Sequence, residues 1–266
     1  MKVAPFVGAI LVRGVAIGYV SIIVLLPMAA LLWKSTGIGW SGIWATLTVP
    51  YVESAFELTI GLSALAVLVN AVFGTILAWV LARDEFPGKK IVNSFVDLPF
   101  ALPTVVAGLT IVVLYGSPYS PVHVDISGTR SIIALALLFV TLPFVTRAVQ
   151  PVLLAMDHDM EEAAAVLGAN KFTTFRKIIL PNIAPALLSG AGLAFARALG
   201  EFGSVIIVAS NLPFKTQMVS LVIFSDIEQL QTPQAAALSV ALLVLSLLVL
   251  IVFNILSYSL SRAHHV

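Results

Sequence analysis

Two charges interrupt an otherwise apolar run, Ala196, Arg197, Ala198, Leu199, Gly200, Glu201, Phe202, Gly203. A guanidinium and a carboxylate four residues apart on one helix can neutralise each other on a single face. An arginine beside a pore also attracts anions, and its planar fork suits an oxyanion. Both readings of Arg197 and Glu201 stay open at this point. Other reactive sets are sparse. The chain has no cysteine, which excludes disulfides, thiol catalysis and Cys-ligated clusters. His123, His158, His264 and His265 all fall in loops or the tail, so no pair of histidines inside an apolar stretch stands ready to ligate haem. No phosphate-cradling P-loop is present, and the chain is expected neither to hydrolyse ATP nor to carry a cofactor or metal. The acids Asp157, Asp159, Glu161 and Glu162 serve better as caps and solvating charges of a polar helix than as a metal cluster.

Those acids open a second informative stretch: Glu162, Ala163, Ala164, then Gly168, then Ile178, Leu180 and Pro181. Asp159 followed by Glu162 predicts an N-terminal capping pair, Met160 to Leu167 are good helix formers, and Gly168 supplies a left-handed stop. Asn170 then predicts the cap of a second helix through Lys171, Thr173, Phe175 and Lys177. Pro181 is expected to end it, because proline lacks the backbone donor and restricts the residue before it. Ala163 and Ala164 keep one face of the first helix thin enough for the close approach of a partner's backbone, and Glu162 offers charge to a basic rim. The plain alternative is a polar connector between two membrane helices.

Composition says which environment must position these residues. The chain is 60% hydrophobic and 10% charged, with a mean hydropathy of +1.07, whereas about a quarter of residues in soluble domains are charged. An all-α polytopic membrane protein follows. Uncharged gaps at 14–33, 58–82 and 229–261 are long enough to cross a bilayer. Three further spans are expected at Leu98–Leu114, Ser131–Val152 and Ile183–Ala209, about six crossings in all. Residues 1–50 then hold an N-terminal membrane helix and an external loop. Residues 51–262 form the main membrane domain, with the polar loop at 157–182. If the N-terminus is cytoplasmic, Lys2, Arg13, Arg83, Lys89, Lys90, Arg147, Lys171, Arg176, Lys177 and Arg262 fall inside, against Lys34, Arg130 and Lys215 outside. That bias satisfies the positive-inside rule and puts both termini and the polar loop in the cytoplasm. Nothing in the charge pattern suits nucleic acid.

Helix breakers mark the unusual crossings. Pro99 and Pro103 bracket Phe100 to Leu102 at the start of the third span, and Pro143 lies in the fourth. Kinks or unwound turns are expected there, and broken backbone at membrane depth borders either a packed neighbour or a water-filled path. Pro103 and Thr104 therefore join Arg197 and Glu201 as candidate pathway residues. Gly190, Gly192, Ala194, Ala196 and Ala198 permit close helix packing in the fifth span.

The order and spacing from Glu162 to Pro181 resemble the EAA loop of ABC importer permeases, the cytoplasmic ledge that docks into a separate ATPase subunit in that family. The resemblance extends to the runs 97–108, 139–144, 197–203 and 211–216, which are similar to the T-subunit branch of the Cys-type sulfate permeases. It covers roughly residues 50 to 260. It implies a type I importer fold, with Glu162, Ala163, Ala164, Gly168, Ile178, Leu180 and Pro181 coupling to the ATPase. It also implies a plasma-membrane complex with two ATPase subunits, a second permease subunit, identical or paralogous, and an external sulfate-binding protein. Molybdate and tungstate permeases share the fold and the loop and stand as the alternative, as do thiosulfate and selenate as cargoes. A rival of another class is a secondary transporter working without ATP. It needs coupling-ion sites, yet the acids expected within or near the bilayer are Asp97 and Glu201.

Overall fold

The computed structural model describes residues 5–117, 120–157 and 159–263; the expectations for Lys2, His158, His264 and His265 lie outside them. The described residues form helices, with an isolated bridge between Gly116 and Asp125. The first crossing joins α1 (Pro5–Val20) to α2 (Leu26–Thr36) through a π-helical segment at Ser21–Leu25. A short α3 (Gly39–Leu47) precedes the long α4 (Pro50–Arg83). Then come α5 (Lys89–Val96), α6 (Leu98–Ala101), α7 (Thr104–Tyr115) and α8 (Arg130–Ala155). The polar stretch folds as α9 (Asp159–Val166) and α10 (Lys171–Thr174), which continues through a π-helical segment at Phe175–Ile179 into α11 (Leu180–Leu199). The chain ends with α12 (Gly203–Val208), α13 (Val219–Glu228) and α14 (Thr232–Ala263).

Among the described residues, five helical stretches are long and apolar enough to span a bilayer: Val12–Thr36, Pro50–Arg83, Arg130–Ala155, Lys171–Leu199 and Thr232–Arg262. The remaining expected crossing, Leu98–Leu114, is broken into α6 and the apolar α7. Pro99 sits in the first turn of α6, where its missing N–H costs nothing, and Pro103 stands extended just before α7.

Packing follows the small residues. Helix α4 lies against α8, α11 packs on both α8 and α14, and α2 packs on α14. A methyl group added at Gly190 would meet the Phe144 carbonyl and Ala148 of α8, and one at Gly192 would meet Phe253 of α14, so both glycines let α11 approach closely. The central core joins Leu62 and Ala66 of α4, Ile133 and Leu137 of α8, Ala198, Val205 and Leu221. A separate cluster, with Ala78, Val145, Val149, Leu153, Met156, Ile179 and Ile183, knits the ends of α4 and α8 to the start of α11 beneath the polar loop.

Four expectations are corrected. The fifth span ends at Leu199 and not Ala209, because Gly200 and Phe202 leave helical geometry and α12 starts afresh. Pro181 does not end its helix: the backbone widens at Phe175–Ile179, the Leu180 N–H bonds back to the Phe175 carbonyl, and the helix runs on through the proline. Of the kink or unwound turn expected at Pro143, the unwound turn is absent, since α8 stays helical through both Pro143 and Pro151. The stretch after the first crossing, expected as a loop, is partly helical, as α3.

Candidate functional site

The polar loop is fixed at each corner by backbone chemistry. Gly168 adopts φ +83. The Ala169 N–H bonds to the Ala164 carbonyl at 2.9 Å and the Gly168 N–H to the Ala165 carbonyl at 3.0 Å, the paired bonds of a Schellman stop. Two residues on, the Asn170 side chain accepts from the Thr173 N–H at 2.8 Å and starts α10. The glycine stop and the asparagine cap agree with the sequence reading. The expected Asp159–Glu162 capping pair does not form: Asp157 accepts from the Asp159 N–H instead, while the neighbouring Glu161 turns inward to Arg83 at 2.7 Å.

Among the sequence-singled residues of this loop, Glu162, Ala163 and Gly168 are exposed. Ala164 is 7% exposed and packs inward, so the thin face expected of two alanines belongs to Ala163 alone. Ile178, Leu180 and Pro181 are half-buried, with Leu180 packed against the cluster that supports the loop. Leu180 anchors the loop to the bundle. What the sequence reading missed is the apolar crest: Val166 and Leu167 are each 87% exposed and Phe172 71%. The signal was present as bulky apolar residues flanking a glycine stop in an otherwise polar segment, where a solvent-facing loop has no use for them.

The second set lies at the α11–α12 break. Arg197 Nη1 lies 2.6 Å from Glu201 Oε2, a charge contact whose angle falls short of an aligned hydrogen bond. Glu201 is fully buried, whereas the Arg197 side chain stays 35% exposed. The other carboxylate oxygen accepts from both the Ser204 N–H and the Ser204 hydroxyl at 2.8 Å, closing the first turn of α12. The Glu201 carbonyl accepts from Ser220 of α13 at 2.9 Å. Glu201 thus joins α11, α12 and α13, a role invisible from a reading that ran one helix through it. Thr104 meets Gly203, where an added methyl would collide with the Thr104 hydroxyl, and a methyl at Gly108 would press on the Ser204 backbone. The structure therefore brings Thr104 beside the Arg197–Glu201 break, with Pro103 exposed at the preceding turn.

Arg147, expected only as a boundary marker, gathers a network. Its guanidinium donates to both Asp97 oxygens at 2.6 and 2.7 Å, to the Asn93 carbonyl at 2.7 Å, and to the side chains of Asn93 and Gln150. This fork clamps the α5–α6 joint onto α8. No group of three or more His, Asp or Glu side chains suited to a metal occurs among the described residues.

Residues 72–263 match the family described as binding-protein-dependent transport system inner membrane component. The chain is 44% identical over 248 residues to the sulfate transport system permease protein CysT of Synechocystis, covering 91% of this chain and 87% of that one. It is 40% identical over 261 residues to the CysT of Escherichia coli strain K12, covering 96% and 94%. Among solved structures, a bacterial ABC transporter involved in import of the polysaccharide alginate superposes with a TM-score of 0.77 at 19% identity, over 96% of this chain and 95% of that one. An inward-facing MetNI methionine ABC transporter gives 0.58 at 16% identity, over 83% and 94%. At those identities the structural likeness shows the fold. By sequence and by fold, this chain belongs to the binding-protein-dependent transport system inner membrane components, the permease subunits of ABC importers, with CysT permeases among its relatives.

Proposed function

We propose that this permease carries sulfate inward across the plasma membrane, powered by separate ATPase subunits that grip the α9–α10 loop. The observation that carries the reading is the exposed apolar crest of Val166, Leu167 and Phe172, held rigid by the Gly168 stop and the Asn170 cap at the end of the bundle. A rigid apolar crest with Glu162 and Ala163 alongside suits a concave protein partner. Sulfate as cargo rests on the CysT relatives.

Orientation is supported by where the charges gather. The Arg83 end of α4 lies against the loop, while Arg130 donates to the Phe214 and Lys215 carbonyls at 3.2 and 2.9 Å, bringing two of the three expected external cations together. Both termini then face the cytoplasm. A second permease subunit completes the pore, and an external binding protein delivers the anion and sets most of the specificity. The path itself must hold sulfate weakly. Sparse polar groups such as Arg197 and Thr104 replace part of its hydration without trapping it.

Nucleotide binding closes the ATPase pair, the docked loops move with it, and the permease pair alternates between inward-open and outward-open states. The test is uptake of labelled sulfate into cells carrying this permease as their sole sulfate route, competed with molybdate and thiosulfate, together with co-purification of its ATPase. Uptake blocked only by excess molybdate, or transport by the purified permease without nucleotide, would overturn the proposal.

A further inference from the structure

We infer that Arg83 and Glu161 form a second tether of the docking loop, one that passes loop movement to α4 and α8; the inference rests on the ATPase-driven reading above. Helix α9 leaves the bundle at its start and rejoins it through α10 and α11. Its outer surface is free for a partner, with Glu162, Ala163, Val166 and Leu167 exposed. Through the Schellman stop and the Asn170 cap, the end of α9 is joined mechanically to α11.

The start of α9 is held differently. The guanidinium at the last residue of α4 donates to Glu161 Oε1 at 2.7 Å, and it also reaches the Met156 carbonyl, where α8 has just ended, at 3.5 Å. Glu161 and Ala164 are three apart, so the inward face of α9 carries one ion pair and one small packed side chain. The pair is shielded: the Arg83 side chain is 7% exposed and that of Glu161 24%. A charge-assisted bond in such surroundings is stronger and less screened by salt than one on an open surface. A carboxylate in the first turn of α9 is also favoured by the helix dipole.

Two tethers at opposite ends of a short helix define what the loop can move. With both in place, displacement of α9 is shared by α11 on one side and by the ends of α4 and α8 on the other. With the ion pair gone, α9 still presents its crest to the ATPase, but its start is held only by the chain that joins it to α8 and by the packing of Ala164. Arg83 and Glu161 are thus positioning residues for coupling, distinct from the exposed residues that bind.

The experiment compares wild type, Glu161→Ala and Glu161→Gln in the complete importer, reconstituted in vesicles with its ATPase and binding protein. Three quantities are read: permease recovered from the membrane, ATPase co-purified with it, and sulfate moved per ATP hydrolysed. For Glu161→Ala the first two are expected within about twofold of wild type, and sulfate per ATP is expected to fall about tenfold. Glu161→Gln keeps an acceptor for Arg83 and is expected to fall between. Unchanged sulfate per ATP in Glu161→Ala would overturn the inference, as would a loss explained by absent permease or by lost ATPase association. A wild-type importer that recruits no ATPase would instead refute the functional reading on which the inference stands.

Discussion

Arg197 and Glu201 are paired across unequal surroundings, and that inequality decides how each responds to removal. Glu201 is fully buried while the Arg197 side chain still reaches open space. Replacing Arg197 with Gln leaves a buried carboxylate held only by Ser204, at a cost of about 2 to 4 kcal/mol. Replacing Glu201 with Gln leaves an arginine that can turn to water and keeps an acceptor for Ser204, so about 1 kcal/mol is expected. Thermal unfolding of the purified variants checks the order, and a costlier Glu201→Gln would contradict it. The double change to Gln should restore folding. If that well-folded, ATPase-coupled double variant moves sulfate, the pair is structural; loss of flux alone makes Arg197 a pathway residue. Asp226 offers a separate test. It is buried on α13, and loss of water pushes its carboxyl above the ordinary carboxylate range. A carboxyl whose folded pKa is raised binds its proton more tightly in the folded chain. Stability is therefore greatest at acid pH and falls as pH rises through the folded pKa. Between about pH 4 and about pH 8, wild type should lose more melting temperature than Asp226→Asn, which carries no such proton. Parallel melting curves for the two would refute it.

At the scale of elements, two prolines share one device. Pro27 follows the π-helical Ser21–Leu25 and Pro181 follows the π-helical Phe175–Ile179, each at the second position beyond the widened turn. The wider ring redirects the carbonyl that the proline ring would strike and lets the helix continue. Proline alone therefore read as a stop at 181, and the sequence carries no local sign of the bulge that rescues it. Gly168 and Asn170 were legible because their conformations are dictated by side-chain chemistry within a few residues. Glu161 was not, since its partner Arg83 is remote in sequence and only the packing of α4 beside the loop brings them together. The Gly168 stop yields a sharp prediction. A methyl group there meets nothing within 4 Å, so the cost of substitution is backbone strain alone. Gly168→Val should cost about 1 to 2 kcal/mol and misdirect α10, whereas Gly168→Asn should be tolerated because asparagine adopts left-handed φ readily. Both variants should insert normally. ATPase co-purification should fail for Val and persist for Asn; equal retention would remove the loop geometry from the docking mechanism.

For the whole molecule, the long apolar gaps between charges were legible because crossing a bilayer demands them, whereas the α11–α12 break was not, because Gly200 to Gly203 is as apolar-flanked as a helix interior. The same charges that bound the spans predict which way the bundle faces. Arg83, Lys89, Lys90, Lys171, Arg176 and Lys177 belong to α4, α5 and the loop region, and Arg130 and Lys215 meet elsewhere across a hydrogen bond. With the former group cytoplasmic, positive charge lies on the side where the membrane retains it and where an ATPase has its nucleotide. The native chain has no cysteine, so single introduced thiols report without background. Lys171 and Lys215 are both exposed, and cysteine at either should react with a maleimide that reaches it. A membrane-impermeant maleimide added to intact cells should label Lys215→Cys and spare Lys171→Cys until the membrane is permeabilised. Transport by each variant must be retained for the labelling to report the native orientation, and both side chains project from the surface. The reverse pattern would turn the bundle over, place the Gly168 loop outside the cell, and leave no cytoplasmic ATPase able to reach Val166, Leu167 and Phe172.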